Sequence, residues 1–206
     1  MGFLPAKADS EKQRLFHDFV IKPLIEQAKN GLIELFFMDA SHFVMGGFPA
    51  RVWSVIRKYV KTSSGRKRFN VLGALNFVTK KIETITNDSY ITSVQVVEML
   101  ENLARKYSKH ITVILDNARY QHCDFVKQHA ERLGITLIFL PTYSPNLNLI
   151  ERVWKLVKSK ILAGAYYDNF RLFSSKIQTC VSGLHIKSKD ELATLVTGNF
   201  QIINAA

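Results

Sequence analysis

Three carboxylates occupy positions from which they can act together on one substrate. Asp39 closes the apolar run LIELFFMD, Asp116 closes the apolar run ITVILD, and Glu151 begins a helix that follows a third apolar run, ITLIFL. In open α/β sheets, functional groups gather at the carboxyl ends of the strands. Carboxylates brought together repel one another unless cations neutralise them, and such oxygen-rich sites suit Mg²⁺ or Mn²⁺. The pattern predicts a two-ion site for phosphodiester chemistry.

The alternative for each acid is structural. A single aspartate after a strand is more often a helix cap or a turn former than a metal ligand. Asp39 alone, or Glu151 alone, is therefore a weak indication of a site. The joint placement of all three acids favours the catalytic interpretation.

The elements that must position these acids follow from hydrophobic periodicity and turn residues. We predict helices over 9–28, 92–107, 121–132, 149–162, 169–183 and 188–197, and strands over 32–39, 68–86 (two strands with a turn near Lys80), 111–116 and 135–140. The strand–helix–strand unit over 111–140 requires two parallel neighbouring strands. The earlier, antiparallel strands make the sheet mixed. The chain is predicted to form one α/β domain over 32–165, after a helical linker segment over 1–31 and before a C-terminal helical tail over 166–206.

The helix that carries Glu151 has an apolar stripe and a charged flank. Glu151, Lys155 and Lys158 share the flanking face, at spacings of four and three residues. A solvated Glu–Lys pair explains such spacing and contributes about 0.3–0.5 kcal/mol. The functional alternative places two ammonium groups beside a metal site, where a phosphate backbone would pass.

Most of the net charge of +11 lies in one segment. From Ala40 to Ile82 there is no Asp or Glu, although there are nine Lys or Arg residues. They are Arg51, Arg57, Lys58, Lys61, Arg66, Lys67, Arg68, Lys80 and Lys81. A solvated basic loop is the structural alternative. The complete exclusion of acids directly after Asp39 favours a surface that follows a nucleic-acid backbone, and we predict DNA contacts for the first seven of these residues and for Lys155 and Lys158.

Several classes of protein are excluded. No apolar run approaches the ~18 residues that a membrane span requires, and the N-terminal residues lack the apolar block of a secretory signal. Cys123 and Cys180 are isolated, without the spacing of a zinc site or a disulfide framework. These features predict a basic, cytoplasmic protein with no membrane partner.

Two segments resemble a known family. LDNARYQH after a strand, followed by LPTYSPNLNLIERVWKLVK, is similar to the catalytic core of DDE transposases of the mariner-like superfamily, in its bacterial insertion-sequence branch. Between Asp116 and Glu151 lie 34 residues, the spacing associated with that branch, and FFMDASHF resembles the segment with the family's first catalytic aspartate. The resemblance covers about residues 6–165 and is most specific over 111–158.

The resemblance implies an RNase H-like fold, related to that of retroviral integrases, with a mixed five-stranded sheet flanked by helices. It implies that Asp39, Asp116 and Glu151 are catalytic and hold two Mg²⁺ or Mn²⁺ ions. It also places supporting residues beside the active site, which are Asn117, Tyr143, Ser144 and Asn148. Family members cut the ends of a mobile element by hydrolysis and join the exposed 3′-hydroxyls to target DNA, typically at a TA dinucleotide. The implied partners are transposon ends and target DNA, with a homodimer, at the bacterial nucleoid.

The sequence departs from the family pattern at three positions. Ala40 stands where a Glu is common, Asn146 where an Asp is common, and Leu149 where a Pro is common. An N-terminal helix-turn-helix region that would recognise element ends is also not evident upstream of Gly31. Three alternatives therefore remain beside the transposase: a hydrolytic RNase H-like nuclease, a DNA-binding fragment without activity, and a fragment that inhibits transposition.

Overall fold

The structure is a computed structural model that describes residues 9–46 and 66–201. Its strands are β1 (Ile33–Val44), β2 (Arg68–Asn76), β3 (Ile82–Asn87), β4 (His110–Leu115) and β5 (Thr136–Phe139). Its helices are α1 (Ser10–Phe16), α2 (Lys22–Lys29), α3 (Ser93–Lys106), α4 (Asp124–Arg132), α5 (Leu149–Leu162), α6 (Phe170–Lys187) and α7 (Lys189–Leu195), with a π-helical turn over His17–Ile21 and a 3-10 turn over Pro145–Leu147. Within these described parts of the chain, no helix is both long and apolar enough to cross a membrane.

The five strands form one mixed sheet in the order β3-β2-β1-β4-β5. β2 pairs antiparallel with both β1 and β3, whereas β1, β4 and β5 run parallel. The prediction of a mixed sheet flanked by helices is confirmed, and so is the parallel strand–helix–strand unit, which consists of β4, α4 and β5. The parallel strands are short apolar runs because helices cover both faces of the sheet.

β1 is longer than its apolar run predicts, and the prediction that Asp39 ends this strand is wrong. The strand continues to Val44 because β2 extends its antiparallel pairing as far as Val44 opposite Arg68. Pairing with β4 stops earlier, at Phe37 opposite Ile114. Asp39 therefore lies inside β1, at the point where its parallel neighbour has already ended.

Alternation along β1 divides the core into two layers. Phe37 and Phe43 face the layer formed by α2, α5, α6 and α7, and Phe36 and Met38 face the layer formed by α3 and α4. Ile25 of α2 and Phe173 of α6 are buried in the first layer. The N-terminal and C-terminal segments of the chain therefore both pack into the core of the sheet. The division of the chain into a linker, a catalytic domain and a tail remains a prediction.

Candidate active site

Strand register brings the two aspartates to the same place on the sheet. In the parallel pair of β1 and β4, Phe37 lies opposite Ile114. Asp39 and Asp116 are each two residues further along their chains, so the same register places them side by side, on the same face. Asp116 directly follows the last residue of β4, as the sequence predicts.

Glu151 reaches this point from α5 because the helix packs unusually closely on the sheet. Gly73 of β2 lies directly opposite Asp39. A Cβ atom at Gly73 would lie 2.6 Å from Cζ2 of Trp154 and 3.0 Å from Cδ1 of Ile150. The indole of Trp154 is 3% exposed and occupies the space above this glycine. Glycine is required here for close approach of helix and sheet, and that approach brings Glu151 toward the two aspartates.

A cavity of about 300 Å³ lies between the ends of β4 and β5 and the first turn of α5. Asp116 and Glu151 line it, together with all four residues that the sequence analysis assigned a supporting role, which are Asn117, Tyr143, Ser144 and Asn148. The remaining lining residues are Ala118, Leu140, Pro141, Thr142 and Pro145. The cavity is where a substrate group can meet both carboxylates.

The three carboxyl groups perturb one another electrostatically. The pKa of Asp39 is raised from 3.8 to about 7, first by burial and then by the negative charges of Asp116 and Glu151, although the Ala40 amide and Lys158 oppose this. Burial also raises the pKa of Glu151, which Asp116 raises further while Lys155 and Lys158 lower it. A buried group of like charges is stable as an ionised set only when positive charge is added to it.

The chemistry of the donors fits Mg²⁺ or Mn²⁺, since both ions prefer carboxylate oxygens. Among the residues that the structure describes, however, no three His, Cys, Asp or Glu side chains are close enough to hold an ion as they stand. Asp116 and Glu151 are nevertheless near enough to Asp39 for their charges to raise its pKa, so the three acids belong to one site.

Two asparagine side chains hydrogen-bond the chain segments that carry the acids to one another. Asn148, 2% exposed, donates from Nδ2 to the main-chain oxygen of Met38 at 3.1 Å, which ties the start of α5 to β1 next to Asp39. Asn117 donates to the main-chain oxygen of Leu140, which ties the end of β4 to the end of β5. Both residues therefore fix the relative positions of chain segments that are distant in sequence.

Replacement of Asn148 tests this role. Asn148→Ala is expected to destabilise the protein by about 1 kcal/mol, because it removes one buried hydrogen bond, while Oδ1 of Asn148 has no partner to lose among the described residues. Asn148→Asp should cost more, because a carboxylate would face the oxygen of Met38. Urea unfolding of both variants measures the difference, and equal stability of the two variants would contradict the assignment of Nδ2 as the functional atom.

The loop before α5 is held by α1, a contact that no sequence motif predicts. Gln13, 0% exposed, donates from Nε2 to the main-chain oxygen of Tyr143 at 3.3 Å, and its Oε1 accepts from Nδ2 of Asn146 at 2.9 Å. Tyr143 itself has a φ of +59° and is half exposed, whereas Ser144 is buried and donates to the main-chain oxygen of Thr142. Only the polar character of Gln13 within a helix marks it in the sequence.

The predicted DNA-contact residues fall into two groups. Arg51, Arg57, Lys58 and Lys61 lie outside the described residues. Arg66, Lys67, Arg68 and Lys155 are exposed, and Lys158 is half-buried. The ammonium of Lys158 lies 5.7 Å from the centre of the Phe43 ring. The pKa of His42 is lowered by burial and by the positive charges of Arg68 and Lys158, so these two side chains both lie near His42 and form a basic surface. Lys158 also lowers the pKa of Asp39.

Comparison with solved structures places the fold. The Mos1 strand transfer complex matches with a TM-score of 0.61 at 12% identity, over 99% of this chain and 66% of the Mos1 chain. The Mos1 paired-end complex with the left transposon end matches with a TM-score of 0.63 at 12% identity, over 99% and 67%. The Mos1 mariner paired-end complex with Mn matches with a TM-score of 0.62 at 13% identity, over 89% and 65%. The chain thus spans about two thirds of the Mos1 chain and has its RNase H-like fold.

Sequence comparison gives the family. No curated protein matches the chain by sequence. The family model described as DDE superfamily endonuclease matches residues 34–173, from the second residue of β1 into α6. This range covers the three acids and more than half of the chain. With the fold, the cavity and this match together, the chain belongs to the DDE superfamily of endonucleases.

Proposed function

We propose that this chain is the catalytic part of a transposase of the bacterial insertion-sequence branch, which cuts DNA strands and joins them to target DNA. Asp39, Asp116 and Glu151 are its catalytic residues. The observation that carries the proposal is the in-register placement of Asp39 and Asp116 beside the Glu151 helix, in a site where burial and like charge raise the pKa of Asp39 to about 7. A site of this kind requires added positive charge to be ionised at neutral pH.

The three acids would hold two Mg²⁺ or Mn²⁺ ions. Bound ions of this kind activate an attacking oxygen and stabilise a leaving oxygen in phosphodiester displacement. The separate Mos1 structures with Mn and with Mg support this choice of ions. In this chain, Asn148 and Asn117 keep the acids' segments together, and the cavity beside Asp116 and Glu151 receives the substrate.

The DNA partner is supported by charge. Lys155 and Lys158 lie near the acids, and Arg68 lies near His42, three residues after Asp39. All three would contact the phosphate backbone near the reacting bond. Transposon ends and target DNA are the two DNA partners that we propose, as in the Mos1 complexes that contain a transposon end or a strand transfer product. A homodimer and an association with the nucleoid remain predictions.

The three other functions remain as alternatives of two kinds, an enzyme and a fragment without activity. A hydrolytic nuclease would use the same three acids and the same ions but would not join strands. A fragment that binds DNA or inhibits transposition would use the basic surface without chemistry. The observed site favours an enzyme over the second alternative because the buried acids lower stability unless they serve a cation.

The experiment that separates these functions supplies a labelled, pre-cut DNA end with a free 3′-hydroxyl, a supercoiled target plasmid and Mg²⁺ or Mn²⁺. The expected result is labelled plasmid, formed by wild type but not by Asp116→Asn. Plasmid nicking without labelled product would favour the hydrolytic nuclease. DNA binding by both proteins, with neither nicking nor joining in either metal, would refute the enzymatic proposal.

Lys158→Gln tests the basic surface. We expect weaker DNA binding, with the slope of log K against log salt concentration reduced by about one, because one phosphate contact is removed. Lys106→Gln is the matched control, since Lys106 lies on α3, on the opposite face of the sheet, where it pairs with Glu83 of β3. Fluorescence anisotropy with a short duplex at several salt concentrations measures both slopes. Equal slopes for the two variants would remove Lys158 from the DNA surface.

A further inference from the structure

A buried glutamine contacts Asp116 from within the protein. Gln121 has 0% exposure, and its amide has one orientation that satisfies both ends. In it, Nε2 donates to Oδ1 of Asp116 and, at 3.2 Å, to the main-chain oxygen of Asp116, while Oε1 accepts from the Tyr120 hydroxyl at 3.2 Å. The reverse orientation would place the amide oxygen against two acceptors, so the hydrogen-bond partners assign the amide.

The chain between these residues is folded to allow this contact. The amide of Ala118 donates to Oδ1 of Asp116 at 3.1 Å, and the amide of Gln121 donates to the main-chain oxygen of Ala118 at 2.9 Å. The resulting turn returns the Gln121 side chain to Asp116. Burial raises the pKa of Tyr120 to about 12, with further contributions from Asp116 and Asp39, so its hydroxyl keeps the proton that it donates to Gln121.

We propose that Gln121 is a positioning residue that sets the orientation of the Asp116 carboxylate for metal binding. The inference rests on the proposed function and extends it to a residue that contacts neither ion nor DNA. Among the described residues, the hydrogen bonds to the Asp116 carboxylate fall on Oδ1. Oδ2 of Asp116 is therefore the oxygen left for an ion. The two donors that bond to Oδ1 hold the carboxylate in one orientation.

The chemistry of the amide suits this task. Mg²⁺ requires nearly ideal octahedral geometry and tolerates misplaced ligands poorly. Residues that orient a metal ligand contribute about 10–100-fold to metal affinity or activity. A lysine in the place of Gln121 would also donate to Asp116, but its charge would offset the negative charge that attracts the ion. A neutral amide fixes the carboxylate and leaves its charge unchanged.

The test compares Mg²⁺ binding by wild type, Gln121→Leu and Gln121→Glu. Binding is measured by the rise in Tm with Mg²⁺ concentration and by calorimetric titration. Gln121→Leu removes the donor, and Gln121→Glu keeps the shape but places an acceptor against Asp116. We expect the half-saturating Mg²⁺ concentration to rise about 10–100-fold in both variants. Cleavage at saturating Mg²⁺ should return to within about threefold of wild type, because the acids themselves are intact. Gln128→Leu, at an exposed position of α4, is the matched control.

Each outcome has a distinct meaning. A half-saturating Mg²⁺ concentration within about threefold of wild type in a folded Gln121 variant would overturn the inference, even if the Tm of the metal-free protein falls. Tighter Mg²⁺ binding by Gln121→Glu would overturn it as well. Should Gln121→Leu not fold, Gln121→Glu decides alone. Asp116→Asn is titrated in parallel. If it binds Mg²⁺ as wild type does, the proposed function fails. If Asp116→Asn loses Mg²⁺ binding while the Gln121 variants bind Mg²⁺ as wild type does, only the role of Gln121 is overturned.

Discussion

Asp39→Asn is expected to make the metal-free protein more stable while it reduces Mg²⁺-dependent DNA cleavage by on the order of 10³-fold or more. The two effects have one cause. The site holds the Asp39 carboxyl where burial, Asp116 and Glu151 raise its pKa to about 7, so its ionised form destabilises the fold. Asparagine removes that charge, and with it one of the three ligands on which the proposed ions depend.

The pH dependence has a definite sign. An aspartate whose folded-state pKa lies above its unfolded value keeps a proton in the folded state that the unfolded chain releases. The contribution of Asp39 to stability is therefore full below about pH 4 and is lost as the pH rises to about 7, the interval between 3.8 and the folded-state value. At pH 8, Asp39→Asn should raise the free energy of unfolding of the metal-free protein by about 2–4 kcal/mol, or Tm by roughly 5–10 °C.

Thermal unfolding at pH 5 and pH 8, with and without Mg²⁺, measures the effect on stability and its pH dependence, and Mg²⁺-dependent DNA cleavage by both proteins measures the effect on activity. Mg²⁺ should stabilise the wild type and leave Asp39→Asn unchanged, because a ligand that binds only the folded state raises its stability. Asp88→Asn, at an exposed position after β3, is the matched control and should respond to Mg²⁺ as wild type does. An Asp39→Asn variant that is no more stable than wild type at pH 8 would show that the three carboxyl groups do not repel one another as the structure indicates.

Gly73→Ala is expected to disturb both the fold and the site. The added Cβ would lie 2.6 Å from Cζ2 of Trp154, a separation at which the indole or the helix has to move. Overpacking of this kind costs about 1–3 kcal/mol, and a loss of 2 kcal/mol lowers Tm by roughly 4–8 °C. The displaced helix also carries Glu151, and a shift of about 1 Å in a catalytic group can cost 10²-fold in rate.

Two further variants make the result specific to this contact. Gly183→Ala lies in α6, where the new Cβ meets only Lys187 at an ordinary 3.6 Å, so it should stabilise the helix by up to about 1 kcal/mol. Gly73→Ala combined with Trp154→Phe removes the indole atoms that clash, so the double variant should lose less stability than the two single variants lose together. Urea unfolding and DNA cleavage are measured for these variants and for Trp154→Phe alone. A Gly73→Ala variant with unchanged stability and activity would remove the close approach of α5 as an explanation of how Glu151 is placed.

Most helices and strands could be predicted from the sequence because the patterns that indicate them are local. Short apolar runs between turn residues predicted the parallel strands, and a helical apolar stripe predicted α5, because these patterns depend on periods of two and 3.6 residues that a single segment contains. The exception is the end of β1, where the segment from Ala40 to Val44 follows the acid that was expected to end the strand. That part is a strand because β2 lies beside it, which is a property of another segment.

The amino-acid sequence by itself determined which residues we propose for the chemistry: two aspartates after apolar runs, a glutamate separated from the second by 34 residues, and an acid-free basic segment after the first. Tertiary structure alone decided that Asp39 lies within a strand rather than at its end, that Gly73 admits Trp154, and that Gln13 reaches residues 130 and 133 positions away. The physical reason is the range of the interactions. Periodicity and turns arise between neighbours in sequence, whereas register, close packing and buried hydrogen bonds depend on which distant segments fill the same space.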